Sequence, residues 1–396
     1  MKSIASIHNC FGCGVCALVC HKKIINIELN SDGFYEPKIL DVAKCTKCGL
    51  CLKVCSFANE GLATENHELY SFAAWSNNKD IRKKCSSGGI GFEIGLNLLD
   101  VGYKVCGVRY NVEKKRAEHY IASTKKELIG TIGSKYIQSY TIDGFREIDR
   151  SKKYLVTGTP CQIDSIRRYI RLFNCDDNFV LMDFFCHSVP SMLAWNKYIK
   201  IVEKKIGEIS YVSWRNKFTG WHDSWSISID GKSTLNDNIS SYADLIQERK
   251  GEYNSRLSQG DLFYKLFLGD FCCNPACINK CKYKYSASSA DIRIGDLWGE
   301  AFSSNEDGVS ALVIFTEKGK HVVDSLEDVT VISMPFDTVA EGQMTENAGR
   351  AYLYGLAKIM LKSTINYPIW LWYFVIYLEK LLQKSKNALK KIQKKL

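Results

Sequence analysis

The chain has 396 residues, 46% of them hydrophobic and 24% charged, an ordinary balance that allows a sizeable core and predicts two or three domains. Its net charge is +10, but seven lysines and no acidic residue lie between Lys380 and Leu396, so the remainder sits near +3 and a general nucleic-acid footprint is excluded. The opening "MKSIASIHNC" has no apolar h-region and no run of about 18 apolar residues occurs, so neither an export signal nor a membrane-spanning helix is expected; the expected location is the cytoplasm, where clustered cysteines, 17 here, point to metal.

The first informative stretch is "CFGCGVCALVC", in which Cys10, Cys13, Cys16 and Cys20 follow the spacing C-x2-C-x2-C-x3-C. "CTKCGLCLKVC" repeats it with Cys45, Cys48, Cys51 and Cys55. This is the bacterial two-cluster ferredoxin pattern, in which each tight loop offers three thiolates to one cubane and its fourth cysteine crosses to the other. Cluster one is therefore assigned Cys10, Cys13, Cys16 and Cys55, and cluster two Cys45, Cys48, Cys51 and Cys20. Structural zinc fits poorly, since zinc sites usually use two Cys pairs a dozen or more residues apart. The usual proline after each fourth cysteine is missing; His21 and Ser56 stand there, which leaves the turn geometry open. Small neighbours (Gly12, Gly14, Ala17, Gly49) let backbone amides approach the sulfides and help set their potential.

Residues 58–69 are polar and read as a linker. Beyond them, strand-like and helix-like runs alternate. "SFAAW" (71–75) reads as a strand, "CSSGGIGFEIGLNLLDVG" (85–102) as a Ser/Gly turn opening a helix, and "YKVCGVRY" (103–110) as a strand. "YLVTGTPCQIDSIRRYI" (154–170) reads as strand, turn and helix, and residues 179–207 repeat that plan with Ser191 as the helix N-cap; 290–299 and 310–320 supply later strands. The alternation predicts an α/β domain. Three turns suit a phosphate-bearing cofactor: "SSGG" (86–89) at a helix N-terminus, "GSKYIQS" (133–139) with a cationic Lys135 and the ring of Tyr136, and "GTPCQ" (158–162) just past a strand. Each alone is equally an ordinary cap or turn, and none matches the G-x-G-x-x-G or Walker patterns.

The ordered set "SSGG", "GSKYIQS", "GTPCQ", "CHSVPS" and "DIRIGDLWG", behind the paired cysteine quartets, resembles the coenzyme F-420 hydrogenase/dehydrogenase beta-subunit family over roughly residues 8–320. The resemblance implies an α+β ferredoxin-like N-terminal domain (1–62) followed by an α/β flavin-binding domain of the beta-subunit type. That domain has an N-terminal-type region (68–150) and a C-terminal-type region (151–335), with a helical basic segment (336–396) after them. It implies two 4Fe-4S clusters, FAD and additional iron–sulfur, with two-electron reduction coupled to one-electron carriers; a flavin is the natural converter between the two. By resemblance, Ser86, Ser87, Gly88 and Gly89, Gly133, Ser134, Lys135 and Tyr136, and Gly158, Thr159, Pro160 and Gln162 would line the flavin, with the turn that meets the pyrophosphate left open. Relatives use a deazaflavin and a plant relative reduces a chlorophyll derivative, so the fold does not fix the substrate.

Cys161 and Cys186 each end a strand-like run, and Cys277 and Cys281 resemble the family's Cys pair, here C-x3-C instead of C-x2-C. A third 4Fe-4S cluster on Cys161, Cys186, Cys277 and Cys281 competes with the reading of reduced, buried packing cysteines. Cys272 and Cys273 are spare, and Cys85, Cys106 and Cys175 are expected to pack. His187, in "DFFCHSVPS", is the candidate catalytic proton donor, or else fixes its loop by hydrogen bonds. Asp183 and Asp296 would orient neighbours or bind a polar cofactor edge, and "WRNKFTGW" (214–221) would cover a ring or fill the core.

Ile369 to Leu378 is too short to span a bilayer, but the apolar and lysine pattern of the last segment reads as an interfacial helix attracted to anionic lipid, or else one docked on the core. The function expected is an iron–sulfur flavoprotein oxidoreductase exchanging electrons with a redox partner protein or a small-molecule acceptor. The rivals are an electron-transfer subunit without its own substrate site and an assembly component of a surface-polysaccharide system, the latter because family members often lie near such genes.

Overall fold

The structure is a computed structural model that describes residues 3–232 and 251–393. Near the N-terminus, α1 (Val15–Val19) and α2 (Leu50–Lys53) follow the two cysteine loops, and β1 (Ile25–Leu29) and β2 (Tyr35–Ile39) pair antiparallel between them. Each short helix is opened by a left-handed glycine, Gly14 (φ 79°) and Gly49 (φ 77°), so the internal repeat is also a structural one. At Gly14 the requirement is double. A side chain would be strained there, and its Cβ would lie 2.0 Å from Thr141 Oγ1 of the following domain.

The body is built on one nine-stranded mixed sheet. Its strands are β3 (Tyr70–Ser76), β4 (Lys104–Asn111), β5 (Arg116–Ala122), β6 (Ser139–Tyr140), β7 (Tyr154–Thr157), β8 (Phe179–Phe184), β12 (Ile292–Asp296), β13 (Ser310–Ile314) and β14 (Val329–Ser333). They lie in the order β14-β3-β13-β12-β8-β7-β4-β5-β6. The centre, β12-β8-β7-β4, is parallel, and antiparallel pairs flank it. Because β3 is inserted beside β13 and β14, the regions 68–150 and 151–335 share this single sheet. The central strands are apolar on both faces. Leu155 and Val180 point to the layer holding α3 (Ile90–Asp100), while their neighbours Val156 and Leu181 meet α4 (Pro160–Leu172) on the opposite side.

A second, antiparallel sheet of β9 (Ile209–Ser213), β10 (Ser226–Gly231) and β11 (Tyr253–Arg256) shares a core with α5 (Met192–Ile206), α6 (Leu262–Leu268), α7 (Tyr354–Lys362) and α8 (Ile369–Gln393). Trp214 belongs to this core and Trp221 to a separate buried cluster beside β12 and β13, so "WRNKFTGW" is largely core. Ser191 caps α5 by accepting from Leu193 N.

The segment 58–69 corrects the linker expectation. Leu62–Glu65 is helical, and the Asn66 amide donates to the carbonyls of Ser288 and Ala290. Cys13, Val15, Val19 and Val54 share a hydrophobic core with Val156, Ile163 and Ile166, so the N-terminal unit is packed onto the body.

Candidate functional site

The cysteines gather into three groups. Cys10, Cys13, Cys16 and Cys55 are buried. Burial pushes the Cys10 thiol up to about 12 and Cys55 up to about 11, and thiolates of the same group push in the same direction. Cys16 is raised by burial and by Cys13, Cys10 and Cys55. These are the four residues assigned to cluster one, and they become neighbours although Cys55 lies far along the chain. Cys20, Cys45 and Cys51 pack against the small core that includes Cys16 and Cys55, while Cys48 is exposed. Burial raises Cys51, and the charges of Cys48 and Cys20 push in the same direction. The second group therefore stands at the surface and the first beneath it.

The third group is assembled by the sheet. Cys161 is the second residue of α4, shortly after β7, and Cys186 follows β8. These strands pair in parallel, with Thr157 opposite Met182, so both cysteines emerge at the same sheet edge. Cys277 and Cys281 reach them through a segment anchored by the bridge between Pro190 and Cys273. All four line one small cavity together with Phe11, His187 and Tyr283. Burial pushes Cys186 up to about 11 and Cys277 up to about 12, and each is raised further by group neighbours, Cys281 among them. The first and third groups are joined through α4. Ser165 Oγ lies 3.2 Å from Cys13 Sγ and accepts from Ser56 N at 3.0 Å. Cys161 sits one helical turn earlier, a Cβ separation of about 6 Å.

An all-thiol donor set of four fits a 4Fe-4S cubane or zinc. The buried thiols lack cationic partners strong enough to keep them ionised, and a bound metal centre supplies that charge. Thr141 Oγ1, beside Gly14, is buried with no hydrogen-bond partner among the described residues.

Beyond the third group lies a cavity of about 420 Å³. Ser86, Ser87, Gly89, Gly133, Ser134, Lys135, Tyr136, Gly158, Thr159 and Gln162 line it, so the three turns converge on one space. The N-termini of α3 and α4 both open on it, and two such ends favour an anionic group. The turns are tied to one another, since Ser134 N donates to Ser86 Oγ. Its floor is apolar (Val105, Leu128, Leu155, Met182), and one wall is aromatic (Tyr136, Trp225, Phe267, Trp298). Volume and lining suit a ring-bearing cofactor.

Three expectations change in detail. Gly88 stands outside the wall; its amide donates to Ser310 Oγ, and a Cβ there would lie 2.5 Å from Ala74 O, so strand packing requires the glycine. Pro160 is the first residue of α4 and faces the cysteine cavity instead. The Lys135 ammonium donates to the carbonyls of Gly130 and Ile132, and burial pushes it down to about 7, so it closes its own turn and is a poor fixed charge for phosphate.

His187 lines both cavities, its Nε2 is 3.2 Å from Asp270 Oδ1, and its ring meets Phe267 edge-on. Asp183 and Asp296 are each held by an arginine. Asp183 pairs with Arg293 at 2.7 and 2.8 Å, both fully buried. Asp296 binds Arg215 at 2.8 Å, and that guanidinium lies 4.9 Å from the ring centroids of both Trp225 and Trp298. Ser165 and Arg215 were missed by sequence reasoning. A lone serine or arginine carries no motif, and only the packing of α4 and β12 gives them partners.

Residues 9–59 match the family described as a 4Fe-4S dicluster domain. Residues 71–143 match "Coenzyme F420 hydrogenase/dehydrogenase, beta subunit N-term", and residues 151–335 match the C terminus of the same beta subunit. The coenzyme F420 hydrogenase subunit beta of Methanococcus voltae is 22% identical over 272 residues, covering 66% of this chain and 82% of that protein. The coenzyme F420-dependent sulfite reductase of Methanocaldococcus jannaschii is 25% identical over 166 residues, which is 40% of this chain and only 25% of the reductase's length. Among solved structures, the F420-reducing NiFe hydrogenase complex from Methanosarcina barkeri, in a xenon derivative, contains a chain with 20% identity and a TM-score of 0.43; the match covers 75% of this chain and 90% of that one. With both beta-subunit regions behind a dicluster domain, the chain belongs to the coenzyme F420 hydrogenase/dehydrogenase beta-subunit family.

Proposed function

We propose that this protein is an iron–sulfur flavoprotein oxidoreductase that moves electrons between an external redox partner and a small-molecule acceptor. The observation that carries the reading is the succession of three cysteine groups, from exposed Cys48 inward to the cavity walled by Cys186 and His187. In this reading Cys10, Cys13, Cys16 and Cys55 hold one 4Fe-4S cluster, Cys20, Cys45, Cys48 and Cys51 a second, and Cys161, Cys186, Cys277 and Cys281 a third. The glycine turns hold FAD. When bound, the clusters supply one-electron carriers and the flavin supplies the exchange between single electrons and a hydride.

The chain's own residues do the rest. The N-termini of α3 and α4 receive the anionic end of the cofactor, and the apolar floor excludes water from its ring. The Cys13 thiol donates to Ser165 Oγ in the structure; as a cluster ligand its sulfur would carry no proton, and the Ser165 hydroxyl would donate to it, which would favour the reduced form of that centre. His187, oriented by Asp270, holds a proton at the boundary between the cysteine group and the cavity. The relatives named for coenzyme F420 make a deazaflavin of that kind the first acceptor to try.

The test is anaerobic purification with iron, sulfide and flavin counted on one sample. About 12 irons and one FAD per chain is the expected result. About 8 irons with no flavin would favour an electron-transfer subunit without its own substrate site, and zinc at the thiols would overturn both readings.

A further inference from the structure

We propose that the outer face of α8 is a docking surface for an anionic bilayer. The inference is independent of which cofactors the cavity holds.

The helix has two faces of different character. Trp372, Val375 and Ile376 are turned into the core shared with α6, and the Tyr373 hydroxyl donates to Gly260 O. On the other side Trp370, Phe374, Tyr377 and Leu381 recur at spacings of four, three and four, which aligns them in one stripe about 16 Å long. All four are exposed, at 67%, 50%, 57% and 41%. A stripe of this size is costly to leave in water, and two of its members carry rings suited to a water–lipid boundary.

Charge decides what covers it. Lys380 and Lys384 flank the stripe and are exposed. The helix has one acidic residue, Glu379, and the fold removes it from the surface. Glu379 is 2% exposed, and its carboxylate accepts from Tyr352 N and Leu353 N, the amides just ahead of α7. The outer face therefore presents aromatic and aliphatic groups with cations only, the combination that an anionic lipid surface satisfies. A second copy of the chain would set the same lysines against each other with no carboxylate on the helix to answer them. The arrangement also gives an orientation. α8 packs on α6, and Phe267 and Leu268 of α6 wall the large cavity, so that cavity would lie one helix layer from the bilayer.

The experiment is co-sedimentation of the full chain, purified anaerobically with its iron, using vesicles of phosphatidylcholine alone and vesicles in which one third of the lipid is phosphatidylglycerol. Binding to the anionic vesicles only, weakened by salt, is expected. Phe374→Ser should lower the partition at least about tenfold. Lys380→Gln with Lys384→Gln should lower it about 25-fold, from roughly fivefold for each charge. Both sites are exposed, so iron content and thermal midpoint should be unchanged. No sedimentation with either vesicle, equal sedimentation with both, or a dimer in light scattering that Phe374→Ser dissociates while vesicles stay unbound would each overturn the proposal.

Discussion

Asp183→Asn tests whether the buried pair beneath the cavity holds the third cysteine group in place. Asp183 on β8 and Arg293 on β12 are partners in the parallel register, and neither side chain is exposed. The carboxylate takes two bonds from the guanidinium and a third from Ser288 Oγ at 2.7 Å. Arg293 also donates to the carbonyls of Tyr285 and Ala287, the segment just after Cys281. Asparagine keeps the shape but removes the charge, leaving a buried guanidinium half-answered. Breaking one partner of such a pair costs about 3–5 kcal/mol. For a chain of this length that is about 4–6 °C in the apparent midpoint. The strain falls on residues 285–288, so Cys281 should loosen first and iron should drop from about 12 towards about 8 per chain while the ferredoxin quartets stay loaded. Thermal unfolding monitored by circular dichroism, with iron counted before heating, reads both. A variant within about 1 °C of the parent and with full iron would refute the reasoning.

Three further outcomes follow from single contacts. Cys161→Ser should remove about four irons per chain and leave the two N-terminal clusters spectroscopically intact, because Cys161 lies in the first turn of α4 and belongs to neither quartet; unchanged iron would exclude it as a ligand. Ser165→Ala deletes the hydroxyl 3.2 Å from Cys13 Sγ, and the potential of one buried cluster should become more negative in a redox titration followed by electron paramagnetic resonance; no change in any cluster would remove Ser165 from that role. Burial holds His119 at about 4 against an ordinary 6.5. As pH falls below 6.5 the unfolded chain takes up a proton that the folded chain refuses until about 4, so stability is lost on acidification, roughly 2 kcal/mol of it by pH 5. His119→Asn should reduce the difference in midpoint between pH 7 and pH 5, and an identical difference in both proteins would sink the assignment.

The sequence by itself determined the features whose parts lie close together in the chain. The spacing of Cys10, Cys13 and Cys16 brings three thiols into one tight loop, and the left-handed Gly14 and Gly49 follow from the same tight geometry. The strand and helix at 154–172 were legible for a similar reason: an apolar run, a Gly-Thr-Pro turn and a helical period are all local. What tertiary structure decided was every meeting of distant residues. Only the parallel pairing of β7 with β8 brings Cys161 and Cys186 to one edge, and only their packing against 272–285 adds Cys277 and Cys281. Only the convergence of α3 and α4 joins three ordinary turns into one cavity wall, while excluding Gly88, which serves strand packing, and turning Lys135 to its own carbonyls. Glu379 makes the point most simply. In sequence it is one acid among lysines; in the fold it binds the amides of Tyr352 and Leu353 just ahead of α7 and leaves lysines as the charged groups beside the apolar stripe of α8, because a buried carboxylate must find donors and those two amides supply them.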